Sequence, residues 1–383
     1  MNGTIYMPVG EVCSSISDTY REKKNMVTLI NTSDVLEGRV LNHERVPNSN
    51  LKGQFKKTFQ RDDILYSEIR PQNRRFAYVD FSPIDYIAST KLMVIRAKKD
   101  VVSPKYLYYF LKNSSTVAEL QLLAETRSGT FPQITFSEVA NLTIPVPSLA
   151  VQEVIVQTMQ CLEDKITCNE QINDNLEQQA QAIYQQMFID NASSDWTEGT
   201  LSDIADITMG QSPSGSSYNE DGNGTIFFQG RAEFGFRFPT VRLYTTEPKR
   251  MACANDTLMS VRAPVGDLNV AHTDCCIGRG LAAIHSKNNH QSFVLYTMFS
   301  LKKQLDVFNG EGTVFGSINR NSLNEMPLLI PSSENLDEFE ALVAPLDAAI
   351  RNHYDEVCRL EQLRDSLLTK LMSRELDVSD IEI

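Results

Sequence analysis

The chain of 383 residues lacks several features that would assign it to a chemical class. No apolar run approaches the roughly 18 residues that span a membrane, and residues 1–10 lack the charged-then-apolar order of a secretion signal. Neither a G-x-x-x-x-G-K-[ST] loop nor a G-x-G-x-x-G fingerprint occurs, which disfavours ATP and dinucleotide chemistry. The Asn-Pro-Pro-aromatic tetrapeptide that holds a flipped base in amino-methyltransferases is also missing. These absences predict a cytoplasmic protein without a catalytic centre.

Metal-ligating patterns are equally scarce. The seven cysteines contain no C-x-x-C pair, which favours reduced thiols. His272 lies near Cys275 and Cys276, but the spacing is not that of a known zinc site, and a half-buried strand explains these residues better. We therefore expect no bound metal and no catalytic residue, although scattered acids could instead form a nuclease site. These acids include Asp62, Asp63, Glu68 and Asp80.

The net charge of −13 is concentrated in two segments. Residues 148–190 hold seven acidic side chains and one basic side chain, and residues 332–383 hold thirteen and five. The remainder of the chain is therefore close to neutral. Since phosphate binding depends on Lys and Arg, the two acidic segments are unsuited to nucleic acid, whereas the remaining regions are free to bind it.

An internal repeat of about 190 residues is the strongest signal in the sequence. Thirteen residues separate Ile134 from Pro147 in the first copy and Ile318 from Pro331 in the second. Each copy opens with a short apolar segment that we predict to be strand-like, and each has an arginine soon after a second apolar segment. The matching segments are 8–12 with 200–204, 63–67 with 256–260, 89–95 with 278–284, and 129–134 with 312–318.

Each copy ends in apolar residues spaced by three and four, which predicts two amphipathic helices over 148–190 and 332–376. Pro345 is expected to kink or break the first turns of the second helix. An amphipathic helix needs a partner for its apolar face, and the other copy, running antiparallel, is the simplest one. About 36 helical residues span on the order of 50 Å, so such helices can act as a ruler.

The globular parts, 1–147 and 191–331, are rich in β-branched and aromatic residues punctuated by Gly, Pro and Asn, which predicts mixed sheet with short helices over 104–112 and 291–304. Asn191–Asp195 is the expected linker, and 377–383 a tail. The predicted fold class is α+β, with two mixed α/β target-recognition domains in tandem repeat, separated and followed by long helices that pair as an antiparallel coiled coil.

This arrangement resembles the specificity subunit of Type I restriction-modification systems over essentially the whole chain. The second copy is similar to that family's recognition domains at 228–231 (FQGR), 258–266 (LMSVRAPVG) and 276–280 (CIGRG), and both copies have its Gly-Thr…Ile…Pro closing segment. The first copy departs more, because it lacks a counterpart to Trp196 and to the 278–280 turn.

The resemblance implies a non-catalytic subunit of a prokaryotic cytoplasmic defence complex. Each domain would read one half of an asymmetric, bipartite double-stranded DNA target, while the helices set the gap and dock two methyltransferase subunits. Restriction/translocase subunits are a further candidate partner, and S-adenosylmethionine, Mg and ATP are expected on the partners. Two alternatives stay open, which are a coiled-coil scaffold that binds DNA without sequence preference and a nuclease within one globular half.

Candidate DNA-contacting residues are Arg, Lys, Gln and Asn side chains on predicted loops, since these groups bond base edges and phosphates. For any one of them, an exposed cation or a strand-end ion pair is an equally good explanation. As a set, the polar residues around Pro71 have no evident core to pack on. We therefore expect the loss of Arg74 and Arg75 to affect one half-site only. The candidates are Lys56, Lys57, Arg70, Gln72, Asn73, Arg74, Arg75, Arg127, Gln229, Arg231, Arg242, Lys249, Arg250, Arg262 and Arg279.

Overall fold

The structure is a computed structural model that describes residues 4–49, 53–126, 132–310, 316–376 and 378. The chain divides into two compact units. Unit 1 comprises Met1–Asn169 and Asp355–Ile383, and unit 2 comprises Glu170–Tyr354. Each unit therefore contains one globular part together with a portion of both long helices.

The globular part of unit 1 contains a two-stranded sheet, two four-stranded sheets and a small hairpin. Its helices are α1 (Val9–Val12), α2 (Pro104–Lys112), α3 (Ser114–Glu125) and α4 (Phe136–Asn141). Its strands are β1 (Ile5–Pro8), β2 (Cys13–Ile16), β3 (Met26–Ile30), β4 (Val35–Leu36), β5 (Arg39–Val40), β6 (Val46–Pro47), β7 (Phe55–Lys57), β8 (Ile64–Ser67), β9 (Phe76–Tyr78), β10 (Tyr86–Ser89), β11 (Leu92–Ala97) and β12 (Thr143–Val146).

The first long helix, α5 (Leu149–Tyr184), ends in a π-helical turn over Gln185–Asp190. The globular part of unit 2 follows, with helices α6 (Leu201–Ile204), α7 (Gln291–Ser300), α8 (Lys302–Leu305) and α9 (Arg320–Asn324), before the second long helix, α10 (Ser333–Met372). Its strands are β13 (Thr197–Thr200), β14 (Ala205–Met209), β15 (Tyr218–Asn219), β16 (Thr225–Phe228), β17 (Leu243–Thr245), β18 (Met251–Ala252), β19 (Thr257–Ser260), β20 (Leu268–Val270), β21 (Cys275–Ile277), β22 (Leu281–Ser286) and β23 (Pro327–Ile330).

The two globular parts share one topology. The order β2-β11-β8-β9 in unit 1 corresponds to β14-β22-β19-β20 in unit 2, and β6-β3-β10-β7 corresponds to β17-β16-β21-β18, with β15 added at the edge. Both second sheets are mixed, since β3 runs parallel to β10 and β16 runs parallel to β21. The first and last strands also pair in both, as β1 with β12 and β13 with β23. The repeat and the α+β fold class predicted from the sequence are therefore confirmed.

The prediction of strand-like segments at 8–12 and 200–204 was wrong, because a single helical turn follows each entry strand. Val9 and Val12 are both fully buried in α1, three residues apart on one helical face. In unit 2, the Asp203 carboxylate accepts a hydrogen bond from the Thr200 backbone N–H at 2.8 Å. This reciprocal cap at the start of α6 favours a helical turn over a continued strand.

Short predicted elements elsewhere need small adjustments. The helix expected over 104–112 coincides with α2, whereas the one expected over 291–304 divides at Leu301 into α7 and α8. The strand expected around Cys275 and Cys276 is β21, which is fully buried rather than half-buried. No helix in the described part of the chain is long and apolar enough to cross a membrane.

The long helices pair in an antiparallel manner inside each unit. In unit 1, Ile155 and Met159 near the start of α5 share one core with Leu368 and Leu371 near the end of α10. In unit 2, by contrast, the end of α5 meets the start of α10, where the rings of Phe188 and Phe339 lie 5.1 Å apart between centroids. Both cores also include side chains from the globular parts, so each apolar stripe is covered on two sides.

Helix α10 continues through Pro345 without interruption, so of the kink or break expected at this proline, the break does not occur. Pro345 lies on the exposed side of α10. Proline removes one N–H donor, and therefore leaves the carbonyl four residues earlier without its helical partner. That carbonyl belongs to Ala341, which is also exposed, so water can take the place of the missing donor.

Buried polar contacts fasten each globular part to the helices of its own unit. In unit 1, Gln152 of α5 is fully buried and accepts a hydrogen bond from the Ser103 N–H, just ahead of α2, at 2.8 Å. In unit 2, Arg237 is only 3% exposed and donates to the Tyr296 hydroxyl at 2.8 Å and to Asp347 of α10 at 2.9 Å. Because a buried charge is costly to separate from its partner, these contacts fix the attachment.

A polar layer interrupts the apolar stripe of α5. In unit 1, Asn169 is fully buried and donates to the Glu356 carboxylate at 2.8 Å, while its own Oδ1 has no partner. In unit 2, Asn173 is 3% exposed and its Oδ1 lies 3.1 Å from His353 Nδ1. The helical pattern predicted from apolar residues alone passed over both asparagines. The spacing of three and four runs through Ile155, Met159, Leu162, Ile166, Asn169, Asn173, Leu176 and Ala180.

We predict that Asn169→Leu raises the midpoint of thermal unfolding by roughly 2–4 °C, because it removes an unsatisfied buried oxygen worth on the order of 1 kcal/mol. Glu356 keeps Lys165 at 3.6 Å and a side chain that is 38% exposed, so it is not left as an isolated buried charge. Asn175→Leu, the same change at an exposed position of α5, should shift the midpoint little. A lower midpoint for Asn169→Leu would show that the Asn169–Glu356 bond is stabilising.

Candidate DNA interface

Three strand ends meet at one edge of the larger sheet in unit 2. Strands β16 and β21 run parallel and β18 runs antiparallel to β21, so the ends of β16 and β21 lie beside the start of β18. The Ile277 N–H donates to the Arg250 carbonyl at 2.9 Å, and the Gly280 N–H donates to the Gln229 carbonyl at 3.3 Å. The fold thereby brings Gln229, Arg250 and Arg279 together, although the sequence separates them by up to fifty residues.

The turn that holds Arg279 depends on a close approach of backbones. A Cβ added at Gly210 would lie 2.1 Å from the Gly278 carbonyl oxygen, and one added at Gly280 would lie 2.9 Å from the Gln229 carbonyl oxygen. Only glycine permits this packing. The Arg279 N–H also donates to the Ser212 hydroxyl at 3.2 Å, so the turn presents an exposed arginine from a fixed backbone.

Further cations lie along the same edge. The Val261 N–H donates to the Gly280 carbonyl at 2.9 Å, which places Arg262 beside the turn, and Lys249 precedes Arg250. Lys249, Arg250, Arg262 and Arg279 are all exposed, and within the described ranges no acidic side chain forms an ion pair with any of them. These four cations are therefore free to bind an anion, and together with Gln229 we call them the Arg279 edge. It consists of Gln229, Lys249, Arg250, Arg262 and Arg279.

The two other predicted arginines of unit 2 are paired with acids. Arg231 forms an ion pair with Asp267, and Arg242 forms one with Glu233 at 2.7 Å. Glu233 is only 5% exposed, so Arg242 neutralises a carboxylate that the fold has buried. Both arginines support the segment that follows β16, and their charges are already balanced.

In unit 1, several predicted cations hold the fold together. The Lys57 amine donates to the carbonyls of Thr90 at 3.1 Å and Leu92 at 2.8 Å, and burial lowers its pKa. Arg74 donates to the Ser114 hydroxyl at 2.8 Å. Arg75 donates to the backbone carbonyls of Ser33 at 3.0 Å and Val35 at 3.4 Å. These contacts favour a structural role over the expected contact with one half-site.

The remaining candidates of unit 1 that the structure describes are exposed. Lys56 lies on β7, while Gln72 and Asn73 lie on a 3-10 turn over Pro71–Asn73, whose proline is buried. Arg70 and Arg74 flank this turn with φ values of 45° and 51°, a left-handed conformation that most residues avoid. Arg127, the last candidate of this unit, lies outside the described residues.

Unit 1 has an edge equivalent to the Arg279 edge, with different chemistry. The Thr90 N–H donates to the Gln54 carbonyl at 2.7 Å, as the Ile277 N–H donates to the Arg250 carbonyl in unit 2. Likewise, the Glu68 N–H donates to the Lys91 carbonyl at 3.0 Å, as the Val261 N–H donates to the Gly280 carbonyl. The Lys91 amine lies 3.4 Å from the Glu68 carboxylate. We call Gln54, Glu68 and Lys91 the Lys91 edge. Sequence analysis missed Gln54 and Lys91, because only the strand order identifies them.

Across the residues that the structure describes, no group of three or more His, Cys, Asp or Glu side chains is placed to hold a metal ion. Two copies of one α+β topology, each with a polar edge formed by strand ends and each joined to a pair of antiparallel helices, define a tandem recognition protein with helical connectors.

The family of this tandem protein follows from comparison with known proteins. The family model described as "Type I restriction modification DNA specificity domain" matches residues 6–178 and 193–352. These two matches cover most of the chain, and each contains one of the repeated globular parts. The chain belongs to the family of Type I restriction-modification specificity subunits.

Individual relatives agree with this assignment. The chain is 44% identical over 164 residues to the Type I restriction enzyme HindI specificity subunit of Haemophilus influenzae, a match that covers 43% of this chain and 36% of that subunit. It is 29% identical over 337 residues to the putative MjaX specificity subunit of Methanocaldococcus jannaschii, covering 82% and 79%. A solved chain from a study of complex assembly in the type I R-M system matches with a TM-score of 0.50 at 27% identity, covering 97% and 98%.

The unpaired cations of the Arg279 edge predict how the affinity of the protein for DNA depends on salt concentration. Replacing Lys249 and Arg262 with alanine should weaken binding of the protein to duplex DNA and reduce the slope of log affinity against log salt by about 0.9 for each phosphate that is no longer bound. Fluorescence anisotropy at several salt concentrations measures this slope. The matched control, Arg231→Ala with Arg242→Ala, removes the same charge from paired positions, and should lower the unfolding midpoint with little change in the slope. Equal slopes in all three proteins would exclude Lys249 and Arg262 from phosphate binding.

Proposed function

We propose that this chain is the DNA-reading subunit of a Type I restriction-modification complex, in which each globular part reads one half of an asymmetric, bipartite target. The observation that carries the proposal is the contrast between two equivalent edges on one frame. The Arg279 edge offers cations without acidic partners, whereas in the Lys91 edge the Lys91 amine lies 3.4 Å from the Glu68 carboxylate. Because base recognition follows side-chain chemistry, two different edges recognise two different half-sites.

The long helices are proposed to set the gap between the half-sites. Buried contacts through Gln152 in unit 1 and Arg237 in unit 2 attach each reader to its own helical segments. Helix α5 has 36 residues, which corresponds to about 54 Å. A connector of fixed length between two firmly attached readers selects targets with one spacing, and its acidic surface does not compete for DNA phosphates.

The chemistry is proposed to come from partner subunits. Two methyltransferase subunits would dock on the helices and carry S-adenosylmethionine, while restriction/translocase subunits, where present, would carry ATP and Mg. The chain itself would supply recognition in the cytoplasm of a prokaryotic cell. The names of its relatives support this division of labour, since they are called specificity subunits of restriction enzymes.

The proposal predicts that methylation at one asymmetric, gapped motif disappears when this gene is deleted and the cognate methyltransferase is kept. Single-molecule sequencing of genomic DNA with and without the gene measures this loss and identifies both half-sites. A gene expressed from a plasmid should restore the same motif. If the purified chain binds DNA but no motif depends on the gene, the alternative of a non-specific scaffold gains support.

The connector is tested by changing its length. Seven residues inserted into α5 at Leu176, with a matching seven in α10 at Ile350, add about 10 Å to both helices. The unread gap should lengthen by about three base pairs, while both half-sites stay unchanged in the methylation map. Exchanging seven exposed residues without changing the length serves as control. A gap of unchanged length in the elongated protein would refute the ruler role of the helices.

A further inference from the structure

The Arg279 edge presents its three central side chains in a defined order. Strand β21 lies between β16 and β18, so Arg279, which follows β21, stands between Gln229, which follows β16, and Arg250, which precedes β18. Neighbouring strands are about 4.8 Å apart. The row therefore covers on the order of 10 Å, which equals about three base pairs of DNA at about 3.4 Å each.

We propose that Arg250 and Arg279 read guanine bases in the major groove and that Gln229 reads the adjacent base, so that the half-site recognised by unit 2 contains guanine. This inference rests on the proposed function and adds the identity of the bases. The guanidinium group donates two hydrogen bonds to the O6 and N7 acceptors of guanine, a pattern that no other base presents in this groove. Gln229 in turn matches adenine, which offers one acceptor and one donor.

Both arginines meet the two requirements for reading a base. They need free donors, and within the described part of the chain neither has an ion pair or a side-chain hydrogen bond that would occupy its guanidinium group. The backbone at each arginine must also be held in place, because a mobile backbone would lose conformational entropy on binding. The Arg250 carbonyl accepts from Ile277 at 2.9 Å, and Arg279 stands in a turn fixed by Gly278 donating to the Phe228 carbonyl at 2.8 Å.

The equivalent edge of unit 1 lacks this chemistry, which provides an internal comparison. Thr90 holds the place of Ile277, Gln54 holds that of Arg250, and Lys91, which follows Thr90 directly, holds that of Gly280, so no residue matches Arg279. The Lys91 amine is shared between Glu68 and Gln133 at 3.4 Å each. Losing Arg250 or Arg279 should therefore relax one half-site and leave the other unchanged.

The experiment maps methylated motifs in cells that contain the cognate methyltransferase and either the unchanged protein, Arg279→Ala, Arg250→Ala or Arg279→Lys. We expect the unchanged protein to give a gapped motif with guanine in one half. Each alanine variant should relax discrimination at one guanine of that half by roughly tenfold to a hundredfold. Arg279→Lys keeps the charge but not the two-pronged geometry, so it should retain methylation while accepting other bases at that position.

Lys303→Ala, in α8, is the matched control, because it removes one exposed cation from the same globular part at a residue outside the Arg279 edge; its motif should equal that of the unchanged protein. Thermal unfolding of each purified variant establishes that it is folded. A gapped motif that keeps every guanine in Arg279→Lys and Arg250→Ala, or whose relaxed position is not guanine, overturns the inference alone. Absence of any gapped motif with the unchanged protein overturns the proposed function, and this inference with it.

Discussion

The apolar stripe on each long helix is the constraint from which the remaining structure follows. A helix of 36 or 40 residues with one apolar face is not stable in water unless that face is covered. In each unit the cover comes from two sources, the other helix and the core of the globular part. Because one face packs against both, the helix pair shares a hydrophobic core with the globular part of its unit, while each globular part also contains a smaller core of its own. The globular parts are consequently packed on the helices rather than attached by flexible tethers.

The repeat gives the two globular parts a common backbone frame whose edges carry different side chains. In both units, the segment after the central strand receives the same backbone hydrogen bond, from Ile134 to the Glu68 carbonyl in unit 1 and from Ile318 to the Val261 carbonyl in unit 2. These bonds use no side chains, so they persist whatever residues occupy the surface. Side chains at the strand ends are then free to diverge, and this separates the stability of the frame from the choice of target.

The sequence predicted the long-range organisation better than the local detail, and the reasons are physical. A repeat and a helical period extend over many residues, so a few exceptions such as Pro345 do not hide them. Asn169 and Asn173 were missed because an apolar pattern cannot reveal a buried polar residue that bonds to the partner helix. The sequence predicts Lys57 and Arg75 as candidate contacts because it does not show which carbonyls a cation will reach. It predicts Arg250 and Arg279 for the same chemistry, and only the strand order brings these two together.

The position of the charge resolves the conflict between a net charge of −13 and a polyanionic target. Electrostatic interactions between exposed groups fade within about 8–10 Å at physiological ionic strength, so an edge of the protein responds to its immediate neighbours rather than to the total. The acidic surplus belongs to segments 148–190 and 332–383, while the Arg279 edge has cations that no described acid neutralises. On the proposed function, DNA phosphates are repelled by the helical surface and attracted by this edge. The uneven charge would then restrict DNA binding to the surface proposed to read bases and leave the helices available for protein partners.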